Sequence, residues 1–229
     1  MKYLKRIAIS ALALLLLVTS FYFMAPTTKA PTYDLSFPSI QTPLATINDS
    51  LAKFDAQAGA EPCALSTVDW FDSIVPTEYV LLYLHGFSAS QHEGDSVRYW
   101  VADHLKANAF YPRIAGHGLI EPDSLRYATY TATEAWEKAK KDFALATTLG
   151  HKVIIMSCST GTPLAIKLAA TFPDKVYALV NYSPNIRLHD PLASLTNGPW
   201  GLDLLKWISG QEYRDLAPRE DGVTEDCKH

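Results

Sequence analysis

Between Leu65 and Tyr182 the sequence switches repeatedly between short apolar runs and longer stretches with helical spacing, and this alternation restricts the fold more than any other feature. Glu78–Leu84 (Glu-Tyr-Val-Leu-Leu-Tyr-Leu) is a near-continuous apolar run, as strands buried on both faces of a parallel sheet are. Leu65–Phe71, Ala109–Ile114, Lys152–Met156 and Val176–Tyr182 read as further strands. Helices are expected between them. Asp95–Ala107 carries Val97, Trp100, Val101 and Leu105 at helical spacing. Thr131-Ala132-Thr133-Glu134 has the capping-box pattern and opens a helix to about Thr148, closed by Gly150. Thr162–Thr171 is a helix ended by Pro173. Strands that alternate with helices predict an α/β fold, a mostly parallel sheet flanked by helices.

One junction in that pattern carries chemistry. The strand ending at Met156 runs directly into Ser157-Cys158-Ser159-Thr160-Gly161, and a helix follows at once. A small-x-Ser-x-Gly pentapeptide between strand and helix is the context of a nucleophile elbow, with Ser159 as the nucleophile. The turn brings the residues two before and two after the serine close to neighbouring backbone, so both must be small. Ser157 and Gly161 meet that requirement, with serine at 157 in place of the usual glycine. The serine hydroxyl then sits at a helix N-terminus, where free N–H groups favour developing negative charge. Cys158 suits this role less well. Its own flanks at the same offsets, Met156 and Thr160, do not fit the turn, so it reads as a small buried residue.

A second motif, His85-Gly86-Phe87, follows the Glu78–Leu84 strand. Acyl transfer needs two N–H donors for the oxyanion of the tetrahedral intermediate. In this architecture one comes from the residue after the nucleophile, Thr160, and the other from the loop after the earlier strand, here Phe87. Gly86 lets that loop turn without a side-chain clash. His85 reads as a structural residue holding the loop rather than as a catalytic one.

Outside the domain, Lys2, Lys5 and Arg6 precede an apolar run that extends to Ala25. That length suffices to span a bilayer, and the basic flank predicts a cytoplasmic N-terminus with the rest exported. A cleaved signal segment is the rival expectation, which would leave a secreted protein. Residues 1–25 are thus read as membrane anchor or signal segment, 26–46 as a Pro/Thr-rich linker, and 47–229 as the catalytic-type domain, with a short helix from Ile47 to Gln57. A net charge of −4 without a basic run gives no support to nucleic-acid binding. Cys63, Cys158 and Cys227 form no metal-ligand spacing and allow at most one disulfide.

Tyr83-Leu84-His85-Gly86-Phe87, Ala115-Gly116-His117-Gly118 and Ser157-Cys158-Ser159-Thr160-Gly161, in this order, resemble the α/β-hydrolase superfamily, in particular its bacterial esterase and monoacylglycerol-lipase-like branch. The resemblance covers roughly Leu65–Trp207. It implies hydrolysis of a small-molecule acyl ester by Ser159, with no cofactor and no metal.

The same resemblance implies an acid and a histidine later in the chain, in the order Ser, Asp or Glu, His. Neither is identified. After Tyr182 the sequence reads as a loop, an amphipathic helix from Trp200 to about Ser209 and a polar tail, without another strand. The two strands that would present the acid and the base are expected to be absent, as in a truncated or frame-shifted product. Residues 190–210 are expected to form a lid. Asp190 follows the last strand, where a few lipases of the resembled family place the acid; its neighbour His189 and the tail residue His229 are poor candidates for the base, His117 reads as a loop residue, and His92, His104 and His151 as surface positions. A catalytically impaired or non-catalytic member of the fold is therefore the alternative expectation.

Overall fold

The structure is a computed structural model and describes residues 2–25, 30–120, 127, 130–186 and 198–210. These fall into two compact units: Pro31–Ile186, and the N-terminal stretch to Ala30 together with residues 198–210.

The larger unit contains α2 (Ile47–Gln57), β1 (Thr67–Asp69), β2 (Thr77–Leu84), α3 (Val97–His104), β3 (Asn108–Tyr111), α4 (Ala132–Leu149), β4 (Gly150–Cys158), α5 (Gly161–Thr171) and β5 (Val176–Tyr182). The sheet order is β1-β3-β2-β4-β5, with only β1 antiparallel to its neighbour. The alternation thus produces the expected mostly parallel sheet. Boundaries shift by a few residues. β1 and β3 are shorter than their apolar runs, and Gly150 both caps α4 and opens β4. A Cβ at Gly150 would sit 2.9–3.0 Å from Val80 and Tyr79, so glycine there serves the strand contact.

Successive strand residues point to opposite faces, and both faces are covered. Val80, Leu82, Leu84, Val153 and Ile155 pack under α4 and α5 with Trp136, Phe143, Leu164 and Leu168. Leu81, Tyr83, Ile154 and Met156 face α3 with Ala102 and Tyr111. Helix α4 starts as its capping box dictates. The Thr131 hydroxyl accepts from the Glu134 amide at 3.2 Å and donates to the Glu134 carboxylate at 3.0 Å.

The segment expected to be a linker departs from that expectation. Residues 30–43 have no regular structure, yet Tyr33, Phe37, Ile40 and Leu44 pack against the main core. The Trp136 indole N–H donates to the Asp34 carbonyl at 2.7 Å, and the Lys140 ammonium meets the Asp34 carboxylate at 2.8 Å. Isolated aromatic residues among prolines give no periodic signal, although their burial contributes here as it would in a helix.

In the smaller unit α1 (Lys2–Phe23) has no buried residue and is long and apolar enough to cross a membrane. Helix α6 (Gly201–Ser209), expected as part of a lid, is grouped with α1. The Trp200 ring stacks on Phe21 at 4.7 Å, and its indole N–H donates to the Phe21 carbonyl at 3.3 Å. Cys63 is disulfide-bonded, whereas Cys158 is free and buried.

Candidate active site

Parallel pairing brings the carboxyl ends of three strands together. Leu84 of β2 lies beside Ser157 of β4, and Cys158 lies beside Tyr182 of β5. The segments after these strands therefore converge at the carboxyl edge of the sheet, where open α/β sheets build their sites. They carry His85-Gly86-Phe87, Ser159-Thr160-Gly161 and Ser183–Asn185.

Ser159 is partly exposed and adopts φ = 43°, the left-handed region that an L-residue enters at a cost. The turn is held by backbone bonds. The Ser159 amide donates to the Tyr182 carbonyl at 3.3 Å, while its carbonyl accepts from the Thr162 amide at 3.1 Å and from Asn185 at 3.3 Å. Gly161 shows why the turn demands a glycine. A Cβ there would lie 2.2 Å from the Leu84 carbonyl oxygen and 2.7 Å from that of His85. The other small residue, Ser157, is fully buried. Its hydroxyl donates to the Asn181 side-chain oxygen at 2.6 Å and lies 3.1 Å from the Thr162 hydroxyl. Serine is accommodated in place of the usual glycine because β5 and α5 supply polar partners for it.

The Phe87 and Thr160 amides, the two expected oxyanion donors, have no hydrogen-bond partner among the described residues. The loop bearing Phe87 is anchored by His85. That imidazole is fully buried, accepts the Ile114 amide at Nε2 at 3.0 Å and lies 2.9 Å from the Gly86 carbonyl at Nδ1. The Ile114 amide must donate, so the ring is the neutral tautomer protonated at Nδ1. Burial drives its pKa down to about 3, with the nearby His117 adding to the effect. The Phe87 ring packs on His117, Tyr127 and Tyr130 at 4.6–5.9 Å between centroids. The Gly116-His117-Gly118 turn, with φ of 72° and 59° at its glycines, carries that aromatic cluster.

Burial, and then the Glu93 carboxylate, push the Cys158 thiol up to about 11. Cys158 is therefore a protonated thiol at neutral pH and a weak nucleophile. Asp190, His189 and His229 lie outside the described residues. Among the other histidines, His92 bonds Asp95 at 3.0 Å, His104 stacks on Trp100, and His151 is exposed. No group of three or more His, Cys, Asp or Glu side chains able to hold a metal occurs among the described residues.

Sequence reasoning missed Glu93. It lies in the turn between β2 and α3 and accepts the Gly86 amide at 2.7 Å and the Tyr83 hydroxyl at 3.0 Å. A Cβ on Gly86 would meet Glu93 Oε1 at 2.7 Å and Ser159 Cβ at 3.2 Å, so carboxylate and serine lie on the same glycine.

No family model matches the chain, and no curated protein matches its sequence. Solved structures do. One comes from the metagenome-derived lipolytic enzymes LipS and LipT, with 18% identity and a TM-score of 0.51 over 72% of this chain and 62% of the other. The thioesterase domain of the curacin biosynthetic pathway gives 16% identity and a TM-score of 0.42 over 66% and 50%. The haloalkane dehalogenase DatA from Agrobacterium tumefaciens C58 gives 15% and 0.34 over 63% and 50%. The chain thus spans less than two thirds of each of these proteins. Together with the sheet order and the elbow, the first of these likenesses identifies the chain as having the fold of the α/β-hydrolase superfamily.

Proposed function

We propose that the chain belongs to a serine hydrolase that cleaves carboxylic esters through an acyl-enzyme on Ser159. The observation that carries this reading is the backbone of the elbow. Ser159 is held at φ = 43° between β4 and α5, and Gly161 passes so close to the Leu84 carbonyl that no other residue fits. A strained non-glycine residue persists only where its surroundings enforce it, and such residues cluster at functional sites.

In this reading Ser159 Oγ attacks the acyl carbon, and the Phe87 and Thr160 amides receive the charge that develops on the carbonyl oxygen. The hydroxyl proton passes to a general base and then to the leaving alcohol, after which water releases the acid. The base and its acid partner are not assigned. The substrate is a small acyl ester, and the reaction takes no cofactor. Helix α1 anchors the protein in a membrane, and its basic N-terminal flank puts the domain on the exported side.

A fluorophosphonate probe tests the assignment. Covalent labelling that disappears in Ser159→Ala is expected, and a folded chain that never labels would refute it. A non-catalytic binding member of the same fold is the second reading. It is favoured by the Ser159 hydroxyl, which makes no hydrogen bond to a histidine among the described residues, the rings of His85 and His92 being bonded elsewhere. It predicts no labelling and no turnover of short nitrophenyl esters.

A further inference from the structure

We infer that Glu93 is the positioning residue of the oxyanion loop, clamping the turn that presents the Phe87 amide to the acyl oxygen; the inference rests on Ser159 being the nucleophile. Two donors converge on this side chain. Its Oε2 accepts the Gly86 amide at 2.7 Å, a length typical of charge-assisted bonds. The same oxygen accepts the Tyr83 hydroxyl at 3.0 Å, and Tyr83 in turn accepts the Tyr182 hydroxyl at 2.9 Å. From the nucleophile's own turn, the Cys158 thiol feels the same carboxylate, which adds to burial in holding it protonated.

The chain Tyr182–Tyr83–Glu93–Gly86 therefore links the ends of β5 and β2 to the oxyanion loop. Both phenols are held protonated, Tyr83 by burial and its bond from Tyr182, and Tyr182 chiefly by burial, which pushes it up to about 12. Two donors that cannot ionise at working pH keep the direction of the chain fixed. The turn is shaped for this contact. A Cβ on Gly94 would strike the Tyr83 ring at 2.7 Å, so glycine beside the acid lets the phenol reach it. At Gly86 a Cβ would collide with Glu93 Oε1 at 2.7 Å, so glycine there lets the carboxylate close over the amide.

Two effects oppose each other in the reaction. A carboxylate near a developing oxyanion repels it, whereas a fixed N–H donor stabilises it. Because Oε2 is already bonded to the Gly86 amide and a phenol, its charge is partly neutralised by donors, and the gain from holding the loop outweighs the repulsion. The amide left for the oxyanion is that of Phe87.

The test uses the full chain and two readouts. Hydrogen exchange of the peptide spanning Gly86 and Phe87 reports the clamp. The saturation kinetics of Ser159 phosphonylation report its chemical value. Glu93→Ala is expected to raise exchange at 86–87 and to lower the maximal labelling rate at least tenfold with little change in the half-saturating probe concentration. Glu93→Gln keeps an acceptor oxygen and is expected to restore most of the rate. Tyr83→Phe keeps the ring, removes one donor and gives a smaller loss of the same sign, which preserves the test if Glu93→Ala does not fold. Unchanged exchange in Glu93→Ala overturns the clamp. Raised exchange with equal labelling rates in all variants overturns its role in the reaction. A wild-type chain that does not label refutes the nucleophile and the positioning role with it, whereas exchange still decides whether the clamp exists.

Discussion

Replacing Gly161 by alanine puts a methyl group 2.2 Å from the Leu84 carbonyl oxygen and 2.7 Å from both the Leu84 carbonyl carbon and the His85 oxygen. All three are backbone atoms of β2 and the loop that follows it, so no side chain can rotate away. Non-bonded contacts settle near 3.5 Å, and α5 must therefore retreat from β2 by roughly 1 Å. Overpacking of this kind costs about 1–3 kcal/mol, and a rigid backbone neighbour places it near the upper figure. Alanine recovers at most about 1 kcal/mol of helix propensity. The net loss is about 2 kcal/mol, which for a domain of this size lowers Tm by about 4–8 °C. The chemistry should suffer more than the stability. On the proposed reading, moving Ser159 by about 1 Å relative to the Phe87 and Thr160 amides costs on the order of a hundredfold in rate. Thermal denaturation and fluorophosphonate labelling of the same preparation measure both. Gly59→Ala is the control, since Gly59 has φ = 77° but no atom within 4 Å of a Cβ. It should lose stability through backbone strain alone and keep its labelling rate. If Gly161→Ala melts within about 1 °C of wild type and labels at the wild-type rate, the elbow geometry described above is refuted.

Cys158→Ser should leave Ser159 labelling within about threefold, and the native thiol should resist iodoacetamide at pH 8 because its pKa is raised to about 11; loss of labelling would return the cysteine to consideration as nucleophile. Arg113 and Asp55 form a buried ion pair at 2.9 Å, and Asp55 also accepts the Ser66 amide at 2.7 Å. Arg113→Met should therefore cost about 3–5 kcal/mol in urea denaturation, since a buried carboxylate loses its partner. His85 titrates near 3 folded and near 6.5 unfolded, so the unfolded chain binds the extra proton between those values. The stability it contributes is complete above pH 6.5 and is lost as pH falls toward 3. Urea midpoints for wild type should fall more steeply over that window than those of His85→Gln, and equal slopes would contradict the buried neutral imidazole.

The parts of the fold legible in the sequence are those set by local pattern. β2 and β5 announce themselves as apolar runs, α4 by Thr131 and Glu134, and the elbow by Ser159 and Gly161 between a strand and a helix. The parts that stayed hidden depend on contacts remote in sequence. Glu93 reads as one polar residue in a polar turn until strand pairing sets Tyr83 beside Tyr182 and the turn folds back over Gly86. The sole local hint is an acid followed by Gly94, too common to single out. Tyr33 and Phe37 were hidden for the same reason, since their partners Trp136, Phe143 and Phe172 lie about a hundred residues or more further on.

The left-handed backbone at Ser159 also has a bearing on sequence drift. An L-residue at this position carries about 1–2 kcal/mol of conformational strain, and glycine would release it. Mutation pressure and stability therefore pull position 159 toward glycine, asparagine or aspartate, and only a use for the hydroxyl opposes them. In descendants relieved of that use, this codon should be among the first in the domain to change, well before the buried Leu84 or Ile155 that surround it.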